Sequence, residues 1–328
     1  MSSNSKWKSG FLKTGLPLEY VTSNVLSDLG HSIFGEYPYI RPDERKELKE
    51  FSVDLRTYKS LDSEDKLITL SMLVECKFRQ QGTSWIFSPY PSDMFPIGLT
   101  HSTEDLVPVR IETKSIWKFE QKIGYCIGGI ELKPDGSGNT NGAKHGVFQL
   151  RFAMPVLLKN EYENALDHMW SDGRDIDIIC PILVTTADIR VIKNNLNLDD
   201  FHMAKEIDDV TELKEAIILN ERPGPQLQDF ADSLADEYIN NHPELEKRLL
   251  DIDKVLIGKE WESRSAPDLD TIKRSFGHSC ERILIVNYNY LEKTVKNLEK
   301  ALMRDIKKEK VYGKVIETDD GFEIVELS

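Results

Sequence analysis

The sequence contains no uninterrupted apolar run of about 18 residues, the minimum length for a candidate membrane-spanning helix. Its start, MSSNSKWKSGF, has lysines but no apolar stretch behind them, so we expect no secretory signal. The four cysteines stand singly among apolar neighbours, without a CxxC pair (Cys76, Cys126, Cys180 and Cys280). These absences predict a cytoplasmic protein with buried thiols, no disulfides and no association with a membrane.

The sequence motifs of several common enzyme classes are also absent. The seven histidines have neither HExxH nor His-x-x-x-His spacing, which excludes the usual helical zinc motifs. Gly136-Ser137-Gly138 is not followed by the Gly-Lys-Ser/Thr of a phosphate-binding loop, so we predict a turn there. We find no helix-turn-helix or zinc-finger pattern, and therefore no separate module that would recognise DNA.

Charge is distributed unevenly along a chain whose net charge is −14. Residues 1–160 hold 20 Lys and Arg against 19 Asp and Glu, whereas residues 161–328 hold 22 against 37. A polyanion would be repelled by the acidic second half and tolerated by the first. We therefore expect any nucleic-acid contact in the first half and assign the acidic C-terminal half to a protein partner.

The N-terminal part of the sequence predicts one helix followed by three strands. Leu16 to Leu29 has apolar residues at helical spacing, with a proline in its first turn and a glycine after its end. His31 to Ile40 is rich in aromatic and β-branched residues and is predicted to be extended. Leu67 to Phe78 is an almost continuous apolar run, typical of a central strand.

Between those strands, Glu50 to Tyr58 alternates in character as expected of a strand with one buried face. The pattern predicts that two sets of side chains point to opposite faces, Phe51, Val53 and Leu55 on one and Ser52, Asp54 and Arg56 on the other.

The remaining sequence is irregular from Gln80 to Gly142 and then returns to clear helix and strand patterns. We predict helices at Ala143–Met154 and from Pro155 to Trp170, followed by two strands within Asp177–Lys193 that break near Thr185. A corner at Pro223–Pro225 leads to a helical stretch from Leu227 to Glu262 that is interrupted at Pro243. The last predicted elements are a strand at Arg282–Tyr288 and a helix at Leu291–Lys308. The fold class is α/β, with a mixed central sheet flanked by helices. We divide the chain into a core of residues 1–222 and an acidic, mostly helical extension of residues 223–328 that completes the same sheet.

A Glu-x-Lys pair ends the predicted central strand. Side chains two residues apart share one face of a strand, so Glu75 and Lys77 point together and Cys76 points the other way. Two charges at the end of such an apolar strand need a partner or a metal. From this short motif alone, mutual neutralisation of the two charges is the simpler interpretation.

The wider context resembles the PD-(D/E)xK nuclease superfamily, which has the restriction endonuclease-like fold. The resemblance rests on the segments LPLEYVTSNVLSDLG, FSVDLRTY and LVECKFR, all within residues 16–79. It implies that Asp54 and Glu75 bind a divalent metal and that Lys77 assists the attacking water. Glu19 matches the acidic residue that many members place near the metal on the first helix. Val53 precedes Asp54 here in place of proline, a departure that is common in the superfamily.

The resemblance also implies a cofactor and a substrate. Mg²⁺, or Mn²⁺ in its place, prefers oxygen ligands, which Asp54, Glu75 and the backbone carbonyl of Cys76 supply together with a substrate phosphate. Some members carry a Gln-x-x-x-Tyr pattern on a later helix. Gln149 is the candidate contact there, although Ala153 takes the place of the tyrosine, and Gln121 to Tyr125 matches the spacing literally. An ordinary surface glutamine is the alternative for both, and Arg56 is a further candidate substrate contact.

The resulting hypothesis is a metal-dependent nuclease that acts on DNA, in a bacterial restriction or defence system as is common among such families. The alternatives are RNA as the substrate and a catalytically inactive member that serves as a binding or assembly module. We expect Glu75→Ala or Lys77→Ala to abolish cleavage without loss of stability, since removing a clustered charge relieves repulsion. Breaking a buried structural ion pair would instead cost about 3–5 kcal/mol.

Overall fold

The structure is a computed structural model that describes residues 3–43, 45–61, 68–91, 98–140, 142–167, 176–256, 267–308, 310–311, 313–318 and 321–326. Within these ranges the α-helices are α1 Ser3–Lys13, α2 Leu16–Asp28, α3 Lys114–Ile123, α4 Lys144–Asp167, α5 Leu198–Met203, α6 Ile207–Val210, α7 Pro225–Asn241, α8 Leu245–Leu256, α9 Leu269–Ser279 and α10 Leu291–Ile306. Two short 3-10 helices, Glu104–Leu106 and Tyr288–Tyr290, complete the helical elements of the described residues.

The strands of the same ranges are β1 Ser32–Ile33, β2 Tyr37–Pro42, β3 Leu48–Val53, β4 Leu55–Ser60, β5 Ile68–Lys77, β6 Ser84–Pro89, β7 His101–Ser102, β8 Val109–Arg110, β9 Tyr125–Leu132, β10 Gly138–Asn139, β11 Ile176–Thr185, β12 Asp188–Ile192, β13 Thr211–Lys214, β14 Ala216–Asn220, β15 Arg282–Asn287, β16 Lys310–Val311, β17 Gly313–Thr318 and β18 Gly321–Glu326.

Twelve of these strands form one mixed sheet. Its order is β1-β4-β5-β11-β15-β14-β9-β6-β12-β13, with β7 beside β11 and β10 beside β9. The three central strands β5, β11 and β15 are parallel, while β4 and β14 lie antiparallel on either side of them. The ribbons β2-β3, β8-β16 and β17-β18 lie outside this sheet.

Helices cover both faces of the sheet, and each face has its own apolar core. One core combines α4, α7, α8 and α9 with one set of side chains of the central strands. The other combines α2, α3 and α10 with the alternate side chains of the same strands. Because β5, β11 and β15 are buried on both faces, they form continuous apolar runs in the sequence.

Several predicted elements are confirmed. Helix α2, central strand β5, the pair β11 and β12 with its break after Thr185, strand β15 and helix α10 lie close to their predicted positions. Strand β15 lies between β11 and β14, so the C-terminal third of the chain contributes to the centre of the sheet. The division into segments 1–222 and 223–328 stays a prediction.

Other predictions need correction. Helix α4 continues through Pro155, where the sequence predicted a break. Leu150 and Leu157 on either side of the proline are fully buried, and this packing outweighs the lost backbone hydrogen bond. The segment from Gln80 to Gly142, predicted as irregular, contains α3 and the sheet strands β6 and β9. The predicted helix ends at Trp170 and Glu262 lie outside the described residues.

All four cysteines are buried and free, as predicted. Across the described ranges, no helix combines the length and the apolar composition that crossing a bilayer requires.

Candidate active site at the end of strand β5

Asp54 lies at a break between two strands rather than within one. β3 pairs with β2 and ends at Val53, and β4 begins at Leu55 and pairs with β5. The single residue between them shifts the alternation, because Val53 packs in the core on the α4 face and Leu55 packs in the opposite core. The prediction that these two side chains share a face is therefore wrong, and the break aims Asp54 at the end of β5.

Hydrogen bonds join Asp54 to β5. The backbone N–H of Cys76 donates to Oδ2 of Asp54 at 2.7 Å. The backbone N–H of Asp54 lies 3.4 Å from Oε2 of Glu75. The Asp54 carboxylate is thus held beside the last residues of the central strand, next to Glu75.

Glu75 and Lys77 share the face of β5 that packs against α4. Glu75 has 0% of its surface exposed, and its Oε1 forms an ion pair with Nζ of Lys77. The Lys77 side chain is 18% exposed and passes under Gly146 in the first turn of α4. Mutual neutralisation therefore does occur between these two charges, but the adjacent Asp54 carboxylate is a second negative charge beside the same lysine.

The pKa values of the two carboxyl groups reflect this shortage of positive charge. Burial, and then the Asp54 carboxylate, raise the pKa of Glu75 to about 7 although Lys77 opposes the shift. Burial also raises the pKa of Asp54, against the hydrogen bond from Cys76 and the charge of Lys77. Both carboxylates are desolvated, and a further cation would stabilise their ionised forms.

Glu19, in the first turn of α2, is half-buried and faces this cluster. Its pKa is raised by burial and then by the carboxylates of Asp54 and Glu36, while Lys77 lowers it. Two of its electrostatic partners, Asp54 and Lys77, are predicted site residues. Its predicted proximity to a metal stays a prediction.

Glu36 is a member of this cluster that the sequence did not single out. It is exposed in the connection between β1 and β2, where the Arg56 N–H donates to the Gly35 carbonyl at 2.9 Å and holds the connection against β4. Its carboxylate raises the pKa of both Asp54 and Glu19. The sequence offers one feature that could have indicated Glu36 as a site residue: it is the one acidic residue between His31 and Ile40.

Gln149 lies on α4 above β3. Its Nε2 donates to the Ser52 carbonyl at 3.0 Å, and the Tyr39 hydroxyl donates to its backbone carbonyl at 3.1 Å. Its Oε1 is buried and has no hydrogen-bond partner among the described residues. Ser52, which accepts from Gln149, precedes Asp54 by two residues, so the amide of Gln149 lies near the site. A substrate contact by Gln149 stays a prediction.

Arg56 has partners within the fold. It donates from its Nη2 to Glu161 of α4 at 2.6 Å, and its guanidinium lies 4.4 Å from the ring centre of Tyr58. These contacts give the side chain a structural role in joining β4 to α4. Its predicted substrate contact is not tested by them.

A divalent metal fits the residues present at this site. Within the part of the chain that the structure describes, no group of three His, Cys, Asp or Glu side chains forms a ready-made metal cluster. Mg²⁺ commonly binds one or two carboxylates and takes its other ligands from water and substrate phosphate. Asp54 and Glu75 supply two carboxylates, and the Cys76 carbonyl points to the same strand edge as its N–H, which contacts Asp54.

Other sequence features take structural positions. Trp85 has 0% of its surface exposed and donates to Glu131 at 3.0 Å, so it is a packing residue as predicted. Gly136, with φ of 81°, lies in a turn, and the acidic pairs at 199–200 and 208–209 lie in the first turns of α5 and α6. Gln121 lies in the last turn of α3, whereas Tyr125 is the first residue of β9. The Gln-x-x-x-Tyr spacing of these two residues therefore does not lie on one helix.

A cavity of about 520 Å³ lies away from this site, between α3, α4 and β7. The charged residues among its described lining are all acidic, and they include Glu104, Glu112 and Glu120. Burial, and then the charge of Arg282, lower the pKa of the lining residue His101 to about 3, so its imidazole is neutral. This cavity therefore offers no positive charge to a phosphate.

Comparisons of this chain with protein-family models, with curated proteins and with solved structures each found no match.

Proposed function

We propose that this protein is a metal-dependent nuclease that hydrolyses phosphodiester bonds, with DNA as the favoured substrate. The observation that carries the proposal is a fully buried Glu75 whose carboxyl lies beside the Asp54 carboxylate, with Lys77 as a cation that interacts with both. Lys77 interacts electrostatically with Glu19, Asp54 and Glu75, and Glu36 interacts with Glu19 and Asp54. Such a cluster is stabilised by a divalent cation, and a cation of this kind also recruits phosphate.

Each residue has a role that follows from its charge and position. Asp54 and Glu75, with the Cys76 carbonyl, would hold Mg²⁺ or Mn²⁺. When bound, the metal supplies Lewis acidity toward the phosphate and lowers the pKa of bound water. Lys77 places a compact positive charge at the solvent side of Glu75, where it stabilises negative charge that develops on the phosphate. Glu19 and Glu36 add negative charge at the rim of the cluster, which favours a bound cation.

The biological setting is part of the same proposal. A role in the cytoplasm, as a restriction or defence effector, is what resemblance to the PD-(D/E)xK superfamily implies, as is the restriction endonuclease-like version of the α/β fold. The net acidity of residues 161–328 favours a protein partner for the acidic surface of this half.

A second candidate function is a catalytically inactive binding module. The Glu75–Lys77 ion pair favours it, because a lysine that neutralises a buried carboxylate also has a purely structural use. The two candidates differ in one measurable property, which is cleavage that depends on a divalent metal.

We expect the purified protein to nick or linearise supercoiled plasmid in Mg²⁺ or Mn²⁺ and to be inactive in EDTA. Parallel incubation with a structured RNA separates the two substrates, and Glu75→Gln is the control for a contaminating nuclease. Metal-dependent cleavage that persists in this variant would contradict the proposed site. Binding of DNA without cleavage in either metal would favour the inactive module.

Gly146→Ala tests the position of Lys77 without changing any charge. A Cβ at residue 146 would lie 2.9 Å from Cε and 3.1 Å from Cγ of Lys77, and 2.9 Å from Cδ1 of the fully buried Leu183. We expect overpacking against Leu183 to cost about 1–3 kcal/mol of the free energy of unfolding, offset by roughly 1 kcal/mol because alanine favours the helix. Cleavage should fall roughly 10-fold or more, because displacement of a reacting group by about 1 Å is enough to reduce a rate by up to about 100-fold.

The matched control is Gly10→Ala in α1, where a Cβ meets no atom within 4 Å. Kinetics and thermal melts of both variants check the prediction. Equal activity of the Gly146 and Gly10 variants would show that the position of Lys77 does not limit cleavage.

A further inference from the structure

A groove of about 460 Å³ lies on the face of the sheet that is covered by α3 and α10. The first turn of α3 meets the last turn of α10, where the Asp305 carboxylate accepts from the Ser115 and Ile116 N–H groups at 2.8 Å. The two helices therefore run antiparallel, and Phe119 and Ala301 line the groove between them. Strand β13 and the residue after it close one end.

The walls of this groove are strongly basic in a chain whose net charge is −14. Fifteen residues line it, and six of them are cationic while one is acidic; the cations are Lys118, Lys122, Lys214, Lys293, Lys300 and Arg304. On α10, the last three recur at intervals of seven and four residues, so they form one stripe along the helix. On α3, the first two are four residues apart and form the facing stripe.

Most of this positive charge is not neutralised within the fold. Lys214 pairs with Glu212 at 2.6 Å, and Lys293 pairs with Glu215 at 2.7 Å. Within the described part of the chain, the other four cations form no ion pair (Lys118, Lys122, Lys300 and Arg304), and all four side chains are exposed. Like charges held along two facing helices repel one another, and a bound polyanion would relieve that repulsion.

The groove begins at the same end of the sheet as the candidate active site. Lys77 lies opposite Thr185 of β11, which lies opposite Asn287 of β15, and the Asn287 N–H donates to the Glu215 carbonyl at 3.0 Å. Neighbouring strands are about 4.8 Å apart, so three strand spacings separate Lys77 from Glu215 by roughly 14 Å. The stripe on α10 then extends for about 16 Å from Lys293 to Arg304 at 1.5 Å per residue.

We propose that the α3–α10 groove binds the phosphate backbone of the nucleic acid whose cleaved bond lies at Glu75. The inference rests on the proposed function, and it assigns the extended contact to a surface outside the reacting centre. The substrate crosses the end of the sheet from Lys77 to Lys214 and continues between the two basic stripes. Contacts of this kind are made with phosphates and do not depend on base sequence.

The test measures binding of DNA to the protein in EDTA, so that metal-dependent cleavage does not interfere. A labelled 20-base-pair duplex and a single strand of the same length are titrated with protein between 50 and 200 mM salt. The groove variant carries Lys118→Gln, Lys122→Gln, Lys300→Gln and Arg304→Gln. Its matched control removes three exposed lysines and one exposed arginine elsewhere, with Lys133→Gln, Lys205→Gln, Arg222→Gln and Lys247→Gln.

We expect the groove variant to bind duplex at least about tenfold more weakly than the wild type, while the control stays within about twofold. The magnitude of the slope of log K against log salt should decrease by about 3.6 for the duplex, since each of the four lost phosphate contacts contributes about 0.9. Both variants change net charge equally, so equal losses would attribute binding to overall charge and overturn the inference. Thermal melts establish that each variant is folded.

Two further results would overturn the inference. One is unchanged binding of nucleic acid by the groove variant. The other is wild-type protein that binds polyglutamate but not duplex, which would indicate an acidic protein partner.

Cleavage assays distinguish failure of the proposed function from failure of this inference. If the wild type never cleaves, and the groove variant binds nucleic acid more weakly than the wild type, the groove is a nucleic-acid site on an inactive protein. If the groove variant cleaves with an unchanged kcat and a raised KM, both proposals are supported.

Discussion

Glu75→Gln is expected to abolish metal-dependent cleavage and, in metal-free buffer at pH 8, to raise the stability of the protein. The substitution keeps the size of the side chain and removes a carboxylate that burial and Asp54 destabilise. One pKa unit corresponds to about 1.4 kcal/mol, so the gain in the free energy of unfolding is on the order of 3 kcal/mol. A gain of stability together with a loss of activity is the behaviour expected of a functional site.

The sign of this effect depends on pH. The pKa of Glu75 is raised from 4.5 to about 7, so the folded state binds the proton more tightly than the unfolded state. Its contribution to stability is fully present below pH 4.5 and is lost as the pH rises through about 7. The stabilisation by glutamine should therefore be absent at pH 4.5, grow up to pH 7 and be constant above it.

Glu131→Gln is the matched control for this measurement. Glu131 is also a buried carboxylate, but hydrogen bonds from Arg79 and Trp85 outweigh its burial and lower its pKa. Its replacement should therefore destabilise the protein at pH 8, opposite in sign to Glu75→Gln. Thermal melts across pH 4.5–8 compare the two variants, and destabilisation by Glu75→Gln at pH 8 would identify Glu75 as part of a structural ion pair.

The central elements of the fold were predictable because their local signals agree with their positions. β5, β11 and β15 are apolar on both faces, and such runs are typical of parallel strands covered by helices. Their spatial order is not encoded locally, since it depends on the packing of helices from distant parts of the chain. β9 was missed because Gly128 and Gly129 interrupt its pattern. A Cβ at Gly129 would lie 2.6 Å from Cε1 of Phe87, so the ring of Phe87 on β6 requires glycine there.

The pairing of Glu75 with Lys77 could be predicted because residues two apart on a strand share a face. The sequence pattern placed Asp54 on the polar face of one continuous strand, whereas in the structure a break between β3 and β4 aims Asp54 at β5. The alternating sequence FSVDLRTY conceals the strand break, which is visible only when Val53 and Leu55 are seen in separate cores. Glu36 could not be assigned from sequence, because its proximity depends on a backbone hydrogen bond between distant segments.

Lys77→Met is expected to abolish cleavage and to destabilise the protein at pH 8, in contrast to Glu75→Gln. The sequence alone predicted that removing either charge would leave the fold intact or slightly more stable. The geometry separates the two residues, because Glu75 is fully buried and Lys77 is partly exposed. Removing the lysine leaves the Glu75 carboxylate buried beside Asp54 without its cation. Because the pKa of Glu75 is already about 7, protonation of this carboxyl limits the loss at pH 8 to roughly 1.5 kcal/mol.

A double-mutant cycle at two pH values tests this argument. Below pH 4.5 Glu75 is protonated in both states, so Lys77→Met should have little effect there. At pH 8 the combined variant Glu75→Gln/Lys77→Met should recover the lost stability, since the uncompensated carboxylate is gone. Lys159→Met is the control: its side chain is 15% exposed, but its partners Glu163 and Glu237 are accessible to water, so the loss should stay below about 1 kcal/mol. If Lys77→Met is as mild as Lys159→Met at pH 8, water or another group already compensates Glu75, and the charge shortage that motivates a metal at this site does not exist.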